Sequence, residues 1–134
     1  MLTLSIDRNL EVPVYEQVAD QLRRHVASGD LAPGTTLPSV RQLAGDLGVN
    51  LNTIARAYRL LEGEGFLAIR DRSGVVVAPP ADEIEQSTRA MLLEQMRDTL
   101  ARLRQAGMGN NELLPLLERE VLAMEGGRKE KDDD

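Results

Sequence analysis

The stretch Leu37-Pro38-Ser39-Val40-Arg41-Gln42-Leu43-Ala44-Gly45-Asp46-Leu47-Gly48-Val49-Asn50-Leu51-Asn52-Thr53-Ile54-Ala55-Arg56-Ala57-Tyr58-Arg59-Leu60-Leu61 decides the fold. It contains two amphipathic patterns separated by a tight turn. Ser39 is placed to cap a short helix with Val40, Leu43, Ala44 and Leu47 inward, and Gly48 stops it. Asn50 then caps a longer helix that runs to about residue 64, where Gly65 ends it. On a helical wheel Ala57, Tyr58 and Leu61 fall within about 60° of Ile54, one apolar stripe. Asn52, Arg56 and Arg59 fall within about 40° of the opposite point. Between Ser39 and Leu61 there are three Arg and a single acid, Asp46, a local net charge of +2.

A helix that buries one face and presents amide and guanidinium groups on the other has the parts of a recognition helix. Asn pairs bidentately with adenine and Arg with guanine, and both hold phosphates. A solvated surface helix has the same composition, so the neighbouring elements decide. Residues 13–28 repeat Val14, Val18, Leu22 and Val26 at helical spacing, with Pro13 at the start and Gly29 as the stop. Residues 31–34 are a turn with Pro and Gly in type II order. Beyond Gly65, apolar runs at 66–70 and 75–78 flank Asp71-Arg72-Ser73-Gly74 as a β-hairpin. Helix, helix, helix, hairpin is the order of a winged helix-turn-helix: a mainly α fold with one small hairpin.

Arg41 stands in the first turn of the short helix, where free backbone N–H groups would also meet a phosphate; an ordinary solvated arginine is the plainer reading. Arg70, Arg72 and Gly74 fit a wing that reaches the DNA backbone or minor groove, and equally fit simple turn chemistry. His25, alone near a helix end, is assigned no role.

Pro79-Pro80 bars a continuous helix and divides the chain into a DNA-binding domain at 1–78, a linker at 79–81, a helical segment at 82–125 and a charged tail at 126–134 expected to be disordered. Of the net charge of −6, residues 1–80 carry 8 basic against 9 acidic side chains and residues 81–134 carry 8 against 13. The acidity that argues against a polyanion therefore lies mostly outside the candidate interface. With 134 residues, no Cys, one His and three aromatics, the chain lacks the parts of a disulfide framework, a thiolate nucleophile, a His-rich metal site or a stacking platform for single strands. No cofactor, metal or enzymatic reaction is expected. The first residues lack a signal-peptide pattern and no apolar run approaches the roughly 18 residues of a membrane helix, so a cytoplasmic protein is expected.

In the helical segment, residues 82–106 place Ile84, Thr88, Leu92, Met96, Leu100 and Leu103 on one stripe, with Asp82 as the candidate cap. Residues 107–110 break it. A second helix at about 111–124 carries Leu113, Leu114, Leu117, Val121 and Met124 on one face and Leu122 on the other, its start blurred by Pro115. Two such helices make a thin core, and a second copy of the chain is the economical partner. A four-helix dimer joined through Leu92, Met96, Leu100, Leu103, Leu113, Leu117, Val121 and Leu122 is expected; folding back onto the first domain is the alternative.

Five blocks in order, Val14-Tyr15-Glu16-Gln17, residues 28–34, residues 37–44, residues 48–58 and Leu61-Glu62-Gly63-Glu64-Gly65, resemble the DNA-binding domain of the GntR family of bacterial transcription regulators. The resemblance covers roughly residues 10–78, and the two-helix extension is similar to the small YtrA-type subfamily. It implies a winged helix that binds a palindromic operator as a homodimer. Residue by residue it points to Ser39 and Arg41, to Asn50, Asn52, Thr53 and Arg56, and to Gly74 in the wing. Where many members have Arg, and some Pro, this chain has Leu51, so the operator sequence does not transfer. A repressor acting on double-stranded DNA is the expectation; a winged-helix adaptor that scaffolds a protein complex is the alternative. No polar cluster nominates a small-molecule effector, and such a ligand would have to bind between subunits or domains.

Overall fold

The computed structural model describes residues 2–70 and 74–132. Helices α1 (Val14–Ser28), α2 (Val40–Leu47) and α3 (Leu51–Gly63) precede strands β1 (Leu67–Arg70) and β2 (Gly74–Val77), and helices α4 (Gln86–Gln105) and α5 (Asn110–Asp132) follow. This is the expected winged helix with a helical extension. Its core is aliphatic but for one phenol: Val18, Ala19 and Leu22 of α1, Leu43 and Ala44 of α2, and Ile54, Ala57, Tyr58 and Leu61 of α3 close over Leu67, Val75 and Val77 of the hairpin. Every residue of the apolar stripe read on α3 is in that core.

The strands are antiparallel, with Leu67 opposite Val77 and Ile69 opposite Val75. The chain ahead of α2 joins them. The Leu37 N–H donates to the Val75 carbonyl at 2.8 Å, and the Val77 N–H donates to the Thr35 carbonyl at 2.9 Å. This short pairing covers the free edge of β2, which would otherwise expose its backbone groups. Nothing in Gly34-Thr35-Thr36-Leu37 alternates in the manner of a strand; the pairing is dictated by the neighbour. The type II turn before it is closed by the Thr35 N–H on the Ala32 carbonyl at 3.0 Å.

The first residues also have a structural part that the pattern does not reveal. Leu2, Leu4 and Ile6 pack against the core, and the buried Gln17 amide holds the segment down. Its Oε1 accepts from the Asp7 N–H, and its Nε2 donates to the Asp7 and Val12 carbonyls, each at 2.9 Å. One buried side chain thereby satisfies three backbone groups of an otherwise irregular strap.

Beyond the linker the helix starts differ from those read in the sequence. Helix α4 starts at Gln86, so Asp82 does not cap it; Glu85 is at the N-cap without a side-chain capping bond, its carboxylate accepting from the Ser87 hydroxyl at 2.8 Å instead. Helix α5 starts at Asn110 and takes Pro115 inside, forfeiting one backbone bond. It runs to Asp132. Helix α5 packs against α1 of the same chain, the fold-back arrangement. Of the residues assigned to a dimer interface, Leu113 is buried at 4% exposure, Leu100 and Leu103 are half-buried, and Leu92, Met96, Leu117, Val121 and Leu122 are exposed, Leu122 to 52%. Helix α4 buries no residue at all.

Candidate nucleic-acid interface

The interface is built on two capped helices. The Ser39 hydroxyl accepts from the Gln42 N–H at 3.1 Å, and the Asn50 Oδ1 accepts from the Asn52 N–H at 2.8 Å. Each cap starts its helix at the residue expected and satisfies a backbone donor that no carbonyl reaches. Between them Gly48 adopts φ +66, a left-handed conformation in which its N–H donates to the Gly45 carbonyl at 3.3 Å. A side chain there is strained, so the tight turn that sets α2 against α3 requires glycine. The turn is also gripped from outside, since the Arg8 guanidinium donates to the Gly48 carbonyl at 3.0 Å.

The buried side of α3 fixes its orientation. Tyr58, 1% exposed, donates its hydroxyl to the Pro38 carbonyl at 2.7 Å and so ties α3 to the residue before the α2 cap. Burial pushes the Tyr58 phenol up to about 12, keeping it a neutral donor at ordinary pH. At the far end the Arg23 guanidinium of α1 pairs with Glu64 at 2.7 Å and with Asp20 at 2.6 Å. Burial alone would lower the Arg23 pKa, but the two carboxylates outweigh it and hold the pKa above the ordinary value. The Ile69 N–H of β1 donates to Glu62 Oε2 at 3.3 Å, joining the hairpin to α3.

The outer side is the one the helical wheel marks out. Ser39 and Arg41 at the start of α2, and Asn50, Asn52, Arg56 and Arg59 on α3, are exposed, while Thr53 is half-buried. Gly74 opens β2 at φ +75, which explains glycine there by backbone geometry alone. Arg70 is exposed at the end of β1, while Arg72 lies outside the described residues. The exposed groups comprise three guanidiniums and two amides on one short helix pair, a set suited to phosphate oxygens and base edges. Among the described residues no group of His, Cys, Asp and Glu is arranged to hold a metal ion.

Two residues at this surface are not visible in the sequence. Arg8 approaches the helix-turn-helix turn from the strap, and the Tyr15 ring of α1 lies beneath Arg56, whose Cζ is 3.8 Å from the ring centroid. Tyr15 reads as a neighbour of the α1 stripe, and only the packing of α1 on α3 brings it to Arg56.

Comparison with known proteins agrees with this geometry. The model of the gntR family of bacterial regulatory proteins matches residues 14–77, the stretch from the start of α1 to the end of β2. YtrA from Sulfolobus acidocaldarius, a GntR-family transcription factor of known structure, is 39% identical, with 73% of this chain and 97% of that chain covered and a TM-score of 0.61. The chain belongs to the GntR family. The HTH-type transcriptional repressor YtrA of Bacillus subtilis is 29% identical over 94% of this chain and 98% of its own length, which places this GntR-family chain with the small YtrA-type members. The HTH-type transcriptional regulator Rv1152 of Mycobacterium tuberculosis is 44% identical over 56% of this chain, a match spanning 62% of that protein. A transcriptional antiterminator from Listeria monocytogenes EGD-e has the same fold over 94% of this chain, with a TM-score of 0.81 at 25% identity. The AraR DNA-binding domain, solved in complex with operator ORX1, covers 57% of this chain at 26% identity and a TM-score of 0.51.

Proposed function

We propose that this GntR-family regulator is a repressor that binds a palindromic operator in double-stranded DNA as a homodimer. One observation carries the reading: α3 buries Ile54, Ala57, Tyr58 and Leu61 while Asn52, Arg56 and Arg59 stay exposed on its opposite side. A helix held this way by a second, short helix is placed to enter a major groove. The similar AraR domain was solved on operator DNA, and the similar YtrA of B. subtilis is named a repressor. In this reading Asn52, Thr53 and Arg56 face the bases, and Ser39, Arg41, Asn50 and Arg59 meet phosphates. Arg72 and Gly74 belong to the wing.

Pairing falls to the C-terminal helices. The exposed Leu92, Met96, Leu117, Val121 and Leu122 offer apolar surface to a second copy, and operator symmetry follows from protein symmetry. The reading assigns no enzymatic reaction and places the protein in the cytoplasm beside its DNA. Among the described residues no helix is long and apolar enough to cross a membrane.

The test is fluorescence anisotropy on the DNA upstream of its own operon, with wild-type chain and Arg56→Ala, at two salt concentrations. Wild type is expected to bind, and Arg56→Ala to cost about 1–3 kcal/mol of specific affinity. Absence of binding even to mixed duplex at low salt would replace the DNA reading with that of a protein-binding adaptor.

A further inference from the structure

Among the described residues there are two arginine–aromatic stacks, and they differ in what else the arginine does. Arg23 lies over Phe66 with its Cζ 5.7 Å from the ring centroid, while its N–H edge is already taken by Asp20 and Glu64. Arg56 lies much closer, 3.8 Å above Tyr15, and among the described residues no salt bridge engages it. Its guanidinium carbon sits over the ring, and among the described residues no side-chain hydrogen bond or carboxylate takes its N–H groups. All five N–H donors of a guanidinium lie in its plane, so stacking by the face leaves every donor available to a base edge or phosphate.

We propose that Tyr15 is a positioning residue for DNA recognition, fixing the Arg56 guanidinium flat against α1 so that its N–H edge is pre-aimed at the groove; this rests on the DNA-binding reading above. A free arginine side chain has several rotatable bonds to order when it binds. A separation of 3.8 Å is well inside the roughly 6 Å at which a ring face attracts a cation, so part of that ordering is complete before DNA arrives. The Tyr15 hydroxyl donates to Glu16 Oε1 at 3.0 Å, which draws the phenolic proton outward and leaves the ring face richer in electrons. The platform itself is anchored. Helix α1 packs along α3, and the strap before α1 is tied to Gln17 at Asp7 and to the helix-turn-helix turn through Arg8 and Gly48. The backbone that carries Tyr15 is therefore fixed to the elements that hold the recognition helix.

The test uses the full chain and a duplex selected from a random pool against wild type, with affinity read by anisotropy. Tyr15→Leu is expected to weaken binding roughly three- to tenfold, and Tyr15→Phe to stay within about twofold of wild type because the ring remains. In an Arg56→Ala background Tyr15→Leu should cost nothing further. Pentafluorophenylalanine at position 15 keeps the ring's shape while reversing the charge on its face, and should bind as poorly as Tyr15→Leu. It decides the matter if the leucine variant does not fold. An equal loss from Tyr15→Leu with and without Arg56, or wild-type affinity in the fluorinated protein, overturns the positioning role and leaves the DNA reading standing. A wild-type chain that selects no duplex overturns both.

Discussion

The winged helix and the C-terminal helices are written in similar aliphatic residues, yet they bury them differently. In the winged helix three helices and a hairpin surround one centre, so Leu22, Ile54 and Leu61 lose all their exposure. Helix α4 is longer than any of those helices and buries nothing, and α5 buries only Leu113 among its described side chains. The cause is the number of partners rather than the quality of the stripe. Periodicity states which face of a helix is apolar; it does not state what covers that face. The winged helix supplies its own cover, whereas Leu92, Met96, Val121 and Leu122 stay exposed, the surface that the proposed pairing would cover.

Substitutions in the two regions separate these cases, and the largest effect belongs to the core. Ile54→Ala should cost about 2–5 kcal/mol in urea unfolding, since it leaves a cavity where three elements meet. Next is a pH effect confined to the winged helix. The Tyr58 phenol ordinarily titrates near 10 and is pushed up to about 12 in the fold, so the folded chain keeps a proton that the unfolded chain releases. Stability is therefore fully present below pH 10 and falls as pH rises toward 12, by on the order of 2 kcal/mol in all. Unfolding midpoints followed upward from about pH 8 should show this decline, and Tyr58→Phe should flatten it. Ser39→Ala should cost about 1 kcal/mol, the worth of a cap, and should weaken DNA binding by loosening the start of α2. Met96→Ala should give the smallest change, within about 0.5 kcal/mol when the chain is too dilute to associate. At higher concentration its melting temperature should fall below that of wild type because it weakens pairing. A loss from Met96→Ala in dilute solution equal to that of Ile54→Ala would break the contrast between the two regions.

The legible parts of the fold are those decided locally. Ser39 and Asn50 announce two helix starts, Gly29 and Gly48 two helix ends, and the Ile54, Ala57, Tyr58 and Leu61 stripe the buried side of α3. These signals act within a turn of chain, and the structure follows them. Contacts between distant parts are hidden. The Thr35–Leu37 pairing with β2 covers an edge strand, and the strap at Asp7 is held by a glutamine in the first turn of α1. The Arg56 platform joins residues on two different helices. Helix α5 lies along α1, a choice between two apolar surfaces on which helical periodicity is silent. For the interface, the exposed positions of Arg41, Asn52, Arg56 and Arg59 could be read directly, while Arg8 and Tyr15 required the packing.

Selection of bound duplexes from a random pool tests both regions at once. On the proposed function, the winged helix reads a half-site through Asn52 and Arg56, and the C-terminal helices bring two half-sites together. An enriched inverted repeat, bound by two chains per duplex and lost on Arg56→Ala, is the result expected. A pool that remains random after repeated rounds, or an enriched single half-site bound by one chain, would contradict it.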